Sequence, residues 1–318
     1  MKLTPVPPDI AHLGLRTIKS ICVEPSGTGL SELQLQLLTG IQKYILKTAF
    51  ELDGLPTLSP ADLATHTIAQ EFKDRIIRGC IIAACIDGEM DPLKVGRLER
   101  YAMALQVDMG PVRTAWKLAN KNLLLARIDI VRKSLPGVKI RQVLQSQGLL
   151  AAIKQFFPLV GGELPEVMAR YRQLDGYAEG TLARAYTEYL RLNHFPFPGE
   201  KDAGPEIIVV HDCLHILGGY GTTAPEEIEI AAFQAGCQFE DPLFGILFGL
   251  AQYHLNIQVA PVAPSQGLQA NPEKLVAAFA RGCHVNRDMW RDFDPWKYFD
   301  RQVEDIRVEL GVPEKSRS

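Results

Sequence analysis

The stretch Ile207-Ile208-Val209-Val210-His211-Asp212-Cys213-Leu214-His215-Ile216-Leu217-Gly218-Gly219 decides the fold. Its first four residues are β-branched, and by propensity alone they suit a strand. They run straight into two histidines four residues apart. That spacing puts both imidazoles on one face only if the backbone is helical. Asp212 then stands about 100° round from His211 and about 60° from His215, so all three side chains can address one ion. Two neutral imidazoles and a carboxylate suit zinc, iron or manganese better than calcium. Helix is therefore expected here, and Gly218-Gly219-Tyr220-Gly221 ends and reverses it.

One helix cannot close a coordination shell. After the reversal comes Thr222-Thr223-Ala224-Pro225-Glu226-Glu227. Thr223 and Glu226 have the spacing of a capping box. That commits Glu226 to the backbone and leaves Glu227 to face back across the turn as the fourth ligand. The metal set expected from sequence is His211, Asp212, His215 and Glu227, holding a divalent zinc, iron or manganese ion. A zinc-protease reading is weak, because its motif needs Glu as general base at the second position, and here it is Asp212. A phosphohydrolase of the HD type would need further ligands at long range. His194 reads as a loop residue, His254 as a core histidine of an apolar helix, and nothing fixes His284.

Outward from the motif, apolar residues recur at helical spacing and clean period-2 strands are absent, so the chain reads as all-α. Helices are expected over 30–52, 71–85, 91–106, 110–125 and 138–157. Ser59-Pro60 marks a further helix start, and Asp91-Pro92 the start of the 91–106 helix, each a cap followed by proline. Residues 1–28, rich in Pro, Gly and Ser, read as an irregular lead-in. Pro and Gly in 157–165 interrupt the helical pattern and suggest a boundary. Two helical modules result, 29–157 and 158–318.

The 318 residues suit two domains. A formal net charge of -3 leaves no basic footprint for nucleic acid. No apolar segment at the start reads as a signal peptide, and no run of about 18 apolar residues can span a bilayer. Membrane contact is therefore peripheral at most. The six cysteines form no CxxC pair and read as reduced thiols of a cytoplasmic protein.

The acidic turn Asp87-Gly88-Glu89-Met90-Asp91 fails as a calcium loop. Pro92 stands where such a loop needs Gly, and Leu98 where it needs Glu. Residues 71–106 resemble the tellurite-resistance TerB-like domains, in which an Ala-rich apolar segment, an Asp-Gly-Glu turn and a Glu-rich helix follow one another. That resemblance implies a helical module whose acidic turn can bind a cation. Read from the residues, Asp91 caps a helix, Gly88 makes the turn and Glu89 is solvated.

The C-terminal half resembles the fourth coenzyme Q biosynthesis protein family. The signature is His-Asp-x-x-His, eleven residues, then Glu, met here by His211, Asp212, His215 and Glu227. The flanks 180–186 and 305–312 agree, and the likeness spans 165–318. It implies an all-α fold and a divalent metal on those four residues, with His211 and Asp212 catalytic. It also implies an apolar cavity for a polyprenylated aromatic lipid, with its binding residues unassigned. The implied activity is removal of the C1 carboxyl from a prenylated hydroxybenzoate precursor of ubiquinone, beside other quinone-biosynthesis proteins on a membrane surface. Two alternatives remain open: a non-catalytic prenyl-lipid carrier or assembly scaffold, and a metal-dependent prenyl-phosphate hydrolase. Phe244, Ile246, Leu247 and Leu250 are weak candidate tunnel residues, since residues at such spacing are more often plain core.

Overall fold

The computed structural model describes residues 3–23, 29–148, 163–238, 241–260 and 263–315. Among these the protein is all-α, with fifteen α-helices. Pairing of extended segments is limited to two isolated bridges, Thr181 with Gln302 and Leu255 with Gly267.

The N-terminal half holds α1 (Pro8–Cys22), α2 (Glu32–Gly40), α3 (Pro60–Ala64), α4 (Gln70–Cys85), α5 (Pro92–Leu105), α6 (Gly110–Ala119), α7 (Leu123–Lys133) and α8 (Leu135–Gln147). The expected caps are present. The Ser59 side chain accepts the Asp62 N–H, and that of Asp91 accepts the Leu93 N–H.

Three expectations need correction. The lead-in is not irregular, because residues 8–22 form α1. Pro8 sits in its first turn, where a missing N–H costs nothing, and Ile10, Leu13, Leu15, Ile18 and Ile21 are buried. Buried Lys19 secures the helix by donating to the carbonyls of Leu52 (3.0 Å) and Asp53 (2.7 Å). The helix expected over 30–52 stops early: α2 passes into a π-helical turn, Ile41–Leu46, and Lys47 ends it in the left-handed conformation. The helix expected over 110–125 is broken at Asn120-Lys121-Asn122, separating α6 from α7.

The C-terminal half holds α9 (Pro165–Arg172), α10 (Leu182–Leu192), α11 (Ile208–Gly218), α12 (Ala224–Gly236), α13 (Leu243–Tyr253), α14 (Pro272–Gly282) and α15 (Val303–Leu310). The β-branched run before His211 is helical, as its motif demands. α12 is the hub, packed between α13 and α14. The α12–α14 crossing depends on Gly236 and Gly282: a Cβ on Gly282 would overlap the Phe233 carbonyl, and one on Gly236 the Phe279 carbonyl.

The expected boundary near 157–165 falls largely outside the described residues. The two halves nevertheless share one continuous buried core. α14 packs on α2, and α13 on α7. Arg78 binds Asp241 with two bonds of 2.8 and 3.2 Å. His254, fully buried, accepts the Ala270 N–H on Nδ1 (3.1 Å) and donates from Nε2 to the Ile86 carbonyl (2.8 Å). It is thus a satisfied core histidine that ties the halves together.

Candidate metal centre

α11 and α12 are in contact and joined by the short turn 219–223. Gly219 caps α11 with φ 68°, a left-handed conformation that glycine reaches without steric cost. The α11 end is held further by two distant arginines. Arg307 donates to the carbonyls of Ile216 (2.7 Å) and Leu217 (3.0 Å), and Arg281 to that of Gly218 (2.6 Å). These are carbonyls that a helix end leaves without intrahelical partners. The guanidinium charges also suit the negative end of the helix dipole.

This scaffold brings His211, His215 and Glu227 together, a group whose ligand atoms all lie within 4.8 Å of one another and could hold a metal ion. The two Nε2 atoms are 3.0 Å apart. Glu227 Oε2 lies 3.5 Å from His211 Nε2, and Oε1 lies 3.6 Å from His215 Nε2. Ligands at zinc–nitrogen distances of 2.0–2.1 Å stand about 3.3 Å apart on a tetrahedron. The three donors therefore approximate one tetrahedral face and leave a fourth position for a water or substrate oxygen. His215 is sealed, with a side-chain exposure of 0%, whereas His211 at 29% and Glu227 at 15% reach toward solvent. The site therefore opens on the His211 side.

The protonation state of His215 suits ligation. Burial, followed by the neighbouring His211, pushes His215 down to about 4. It is neutral at ordinary pH, and its Nδ1 donates to the Tyr220 carbonyl (3.3 Å), which leaves the Nε2 lone pair facing His211. Burial also pulls His211 down, but Glu227, Asp212 and Gln234 outweigh it and the net shift is upward. Burial raises the Glu227 carboxyl, and the two imidazoles more than reverse this. A positive charge is thus favoured among these three groups, and a divalent cation satisfies the same demand.

Asp212 is not in the cluster. It is buried on α11, one residue past His211 and so about a quarter-turn away. Its short side chain leaves it out of the convergence that spacing alone permits. Burial is the main cause of its rise to about 7, with Glu227 adding to it and His211 opposing. The carboxylate acts on the Tyr186 hydroxyl, which is buried without a hydrogen-bond partner.

Glu226 behaves as expected, and the capping box is only half formed. The Glu226 carboxylate accepts the Gly221 N–H (3.0 Å) and the Thr223 hydroxyl (2.8 Å). The Thr223 side chain makes no return bond to the α12 backbone. His194 and His284 are exposed and join no cluster among the described residues.

The candidate tunnel residues Phe244, Ile246, Leu247 and Leu250 are core, at most 9% exposed, on a helix packed against α12 and α7. Aromatic residues on the other side were not signalled by sequence. Tyr189 packs on His215 with ring centroids 5.6 Å apart, and Phe195, 41% exposed, meets the edge of Tyr189 at 5.9 Å. Gln234, also missed, places its amide nitrogen 2.7 Å from His211 Nδ1.

The chain matches no protein-family model and no curated protein.

Proposed function

We propose that this protein is a metal-dependent enzyme of quinone biosynthesis, which binds a polyprenylated hydroxybenzoate and removes its C1 carboxyl. The observation that carries the reading is the convergence of His211, His215 and Glu227 at the spacing of a tetrahedral face. Its supporting pattern is HDxxH followed, after eleven residues, by Glu. A bound zinc, iron or manganese ion would supply Lewis acidity toward the substrate's carboxylate or phenolate oxygen.

The chain's own residues would do the rest. His215 would close the inner end of the site, with Glu227 and His211 facing the polar head from the more open side. Tyr189 packs on His215 and exposed Phe195 on Tyr189, and these rings are assigned the contact with a prenyl tail. Asp212, the buried carboxyl adjoining the ligands, is assigned the proton that replaces carbon dioxide on the ring. The reaction balances as an aryl carboxylate plus a proton giving the arene and carbon dioxide. No helix among the described residues is long and apolar enough to cross a membrane. Delivery of so apolar a substrate therefore calls for peripheral contact with a lipid surface or with other proteins of the pathway. The reading places the protein in the cytoplasm.

The test is calorimetry with hydroxybenzoates of increasing prenyl length, combined with measurement of carbon dioxide release. Each buried methylene contributes about 0.8 kcal/mol, so affinity should rise with tail length until the path is filled. Removing the metal should weaken binding of the acid more than binding of the decarboxylated phenol. No dependence on tail length would defeat the substrate class. Tight binding without release of carbon dioxide under reducing or oxidising conditions would leave a lipid carrier in place of the lyase.

A further inference from the structure

We propose that Gln234 is a positioning residue for the metal centre, its amide setting the tautomer and orientation of His211. The inference rests on the metal reading above and concerns how the chain presents its own ligand.

Gln234 lies on α12 seven residues after Glu227, two turns along the same face. It is 5% exposed, and a buried amide is costly unless it is hydrogen-bonded. Its terminal amide meets His211 Nδ1 at 2.7 Å. The other imidazole is handled by the backbone, through His215 Nδ1 and the Tyr220 carbonyl. Each imidazole therefore has its remote nitrogen tied, one by main chain and one by side chain. Metal-binding histidines commonly need such a tie to fix ring and tautomer.

The two ties differ in kind. A carbonyl only accepts, so His215 is committed to a proton on Nδ1 and a free lone pair on Nε2. A glutamine amide can donate or accept, since half a turn of its end exchanges nitrogen for oxygen. With the nitrogen toward His211, Nδ1 accepts and the ring proton sits on Nε2, pointing at His215 Nε2, 3.0 Å away. With the oxygen toward His211, Nδ1–H donates and both Nε2 lone pairs face the same point. The first arrangement suits the protein without an ion, and the second suits the loaded site. Gln234 thus lets the open-side ligand change tautomer without moving its ring.

The experiment uses the full-length chain and cobalt(II) as the probe. Cobalt is followed by visible absorption and by competition with a chelating dye, alongside thermal melting. Gln234→Leu cannot accept from Nδ1–H and Gln234→Met accepts only weakly through its thioether, so cobalt affinity should fall roughly 10–100-fold. Gln234→Glu accepts with either oxygen, so it should bind cobalt at least as tightly as the wild type, even though the buried charge lowers the melting temperature. A packing role alone would weaken binding in step with stability, in Gln234→Glu most of all. Equal cobalt affinities in Gln234→Glu and Gln234→Met would overturn the inference while leaving the metal site standing. Failure of the wild type to bind cobalt would overturn the metal reading and this inference with it. If Gln234→Leu does not fold, the Met and Glu variants still make the comparison.

Discussion

Two acidic helix junctions, one in each half, look alike on paper and end differently. Asp87 lies between α4 and α5, and Glu227 opens α12 opposite α11. Asp87 receives the Ser31 hydroxyl (2.6 Å), the Gln34 amide and the Lys94 ammonium. Every partner is a donor, and one brings a full positive charge. The chain itself fills the place that a cation would take. Glu227 faces two imidazole nitrogens whose best ligand state is a lone pair, while Glu226 absorbs the backbone donors. A carboxylate answered by ammonium and hydroxyl is a latch. A carboxylate grouped with two imidazoles offers three ligand atoms to one cation. Charge count does not separate the two; the donor or acceptor character of the partners does.

The largest effect should come from separating the halves. The Asp87 turn also carries the Ile86 carbonyl that holds His254, and α14, which supports α12, rests on α2. A fragment of residues 163–318 should therefore be insoluble or lack cooperative melting. A soluble fragment that binds one metal per chain would show two independent modules.

Next is the ligand set. The wild type should carry about one divalent ion per chain by elemental analysis, and His211→Ala/His215→Ala should carry none. Full metal content in that double variant would sink the site. Between the neighbouring carboxylates, Glu227→Gln should lower metal affinity strongly. Glu226→Gln should leave the metal in place and cost about 1 kcal/mol or less through the lost helix-start bonds. The reverse ranking would place the wrong carboxylate in the cluster.

The smallest effect concerns the latch. Asp87→Asn should keep the metal and lose about 1–2 kcal/mol of stability, as expected for hydrogen bonds to a charged group. Burial raises the Asp87 carboxyl, but Lys94, Ser31 and Gln34 outweigh it and hold it below the ordinary range. Its contribution is therefore complete above the unfolded value, about 4, and fades as pH falls through the lower folded one. The stability gap between wild type and Asp87→Asn, measured by denaturant melts, should close in acid. Metal lost with Asp87→Asn would make the N-terminal turn part of the site after all.

Much of this was legible in the sequence, for a local reason. Helical spacing and caps such as Ser59 and Asp91 act within one turn, so they can be read along the chain. The pairing of His211 with His215, and the division of labour between Glu226 and Glu227, are likewise local. Asp212 was misjudged because angular position on a helix fixes direction but not reach. α1 was missed because the prolines before it and the Gly and Ser after it mask a good amphipathic run; Pro8 in the first turn was the available signal. Gln234 had a signal too, two turns beyond Glu227 on the same face. The joining of α2 to α14 and of His254 to Ile86 leaves no mark on spacing, because those partners are far apart in the chain.

The two guanidiniums on the last carbonyls of α11 have a consequence for how the centre takes up its ion. They come from α14 and α15, so the ligand-bearing helix is clamped by elements that contain no ligand. It can neither slide along its axis nor unwind its last turn without stripping charged donors from carbonyl oxygens. The donor triangle is thus a rigid receptacle that exists before the guest arrives. Ion uptake should proceed in a single fast phase with little change in heat capacity, as expected when no apolar surface is newly buried.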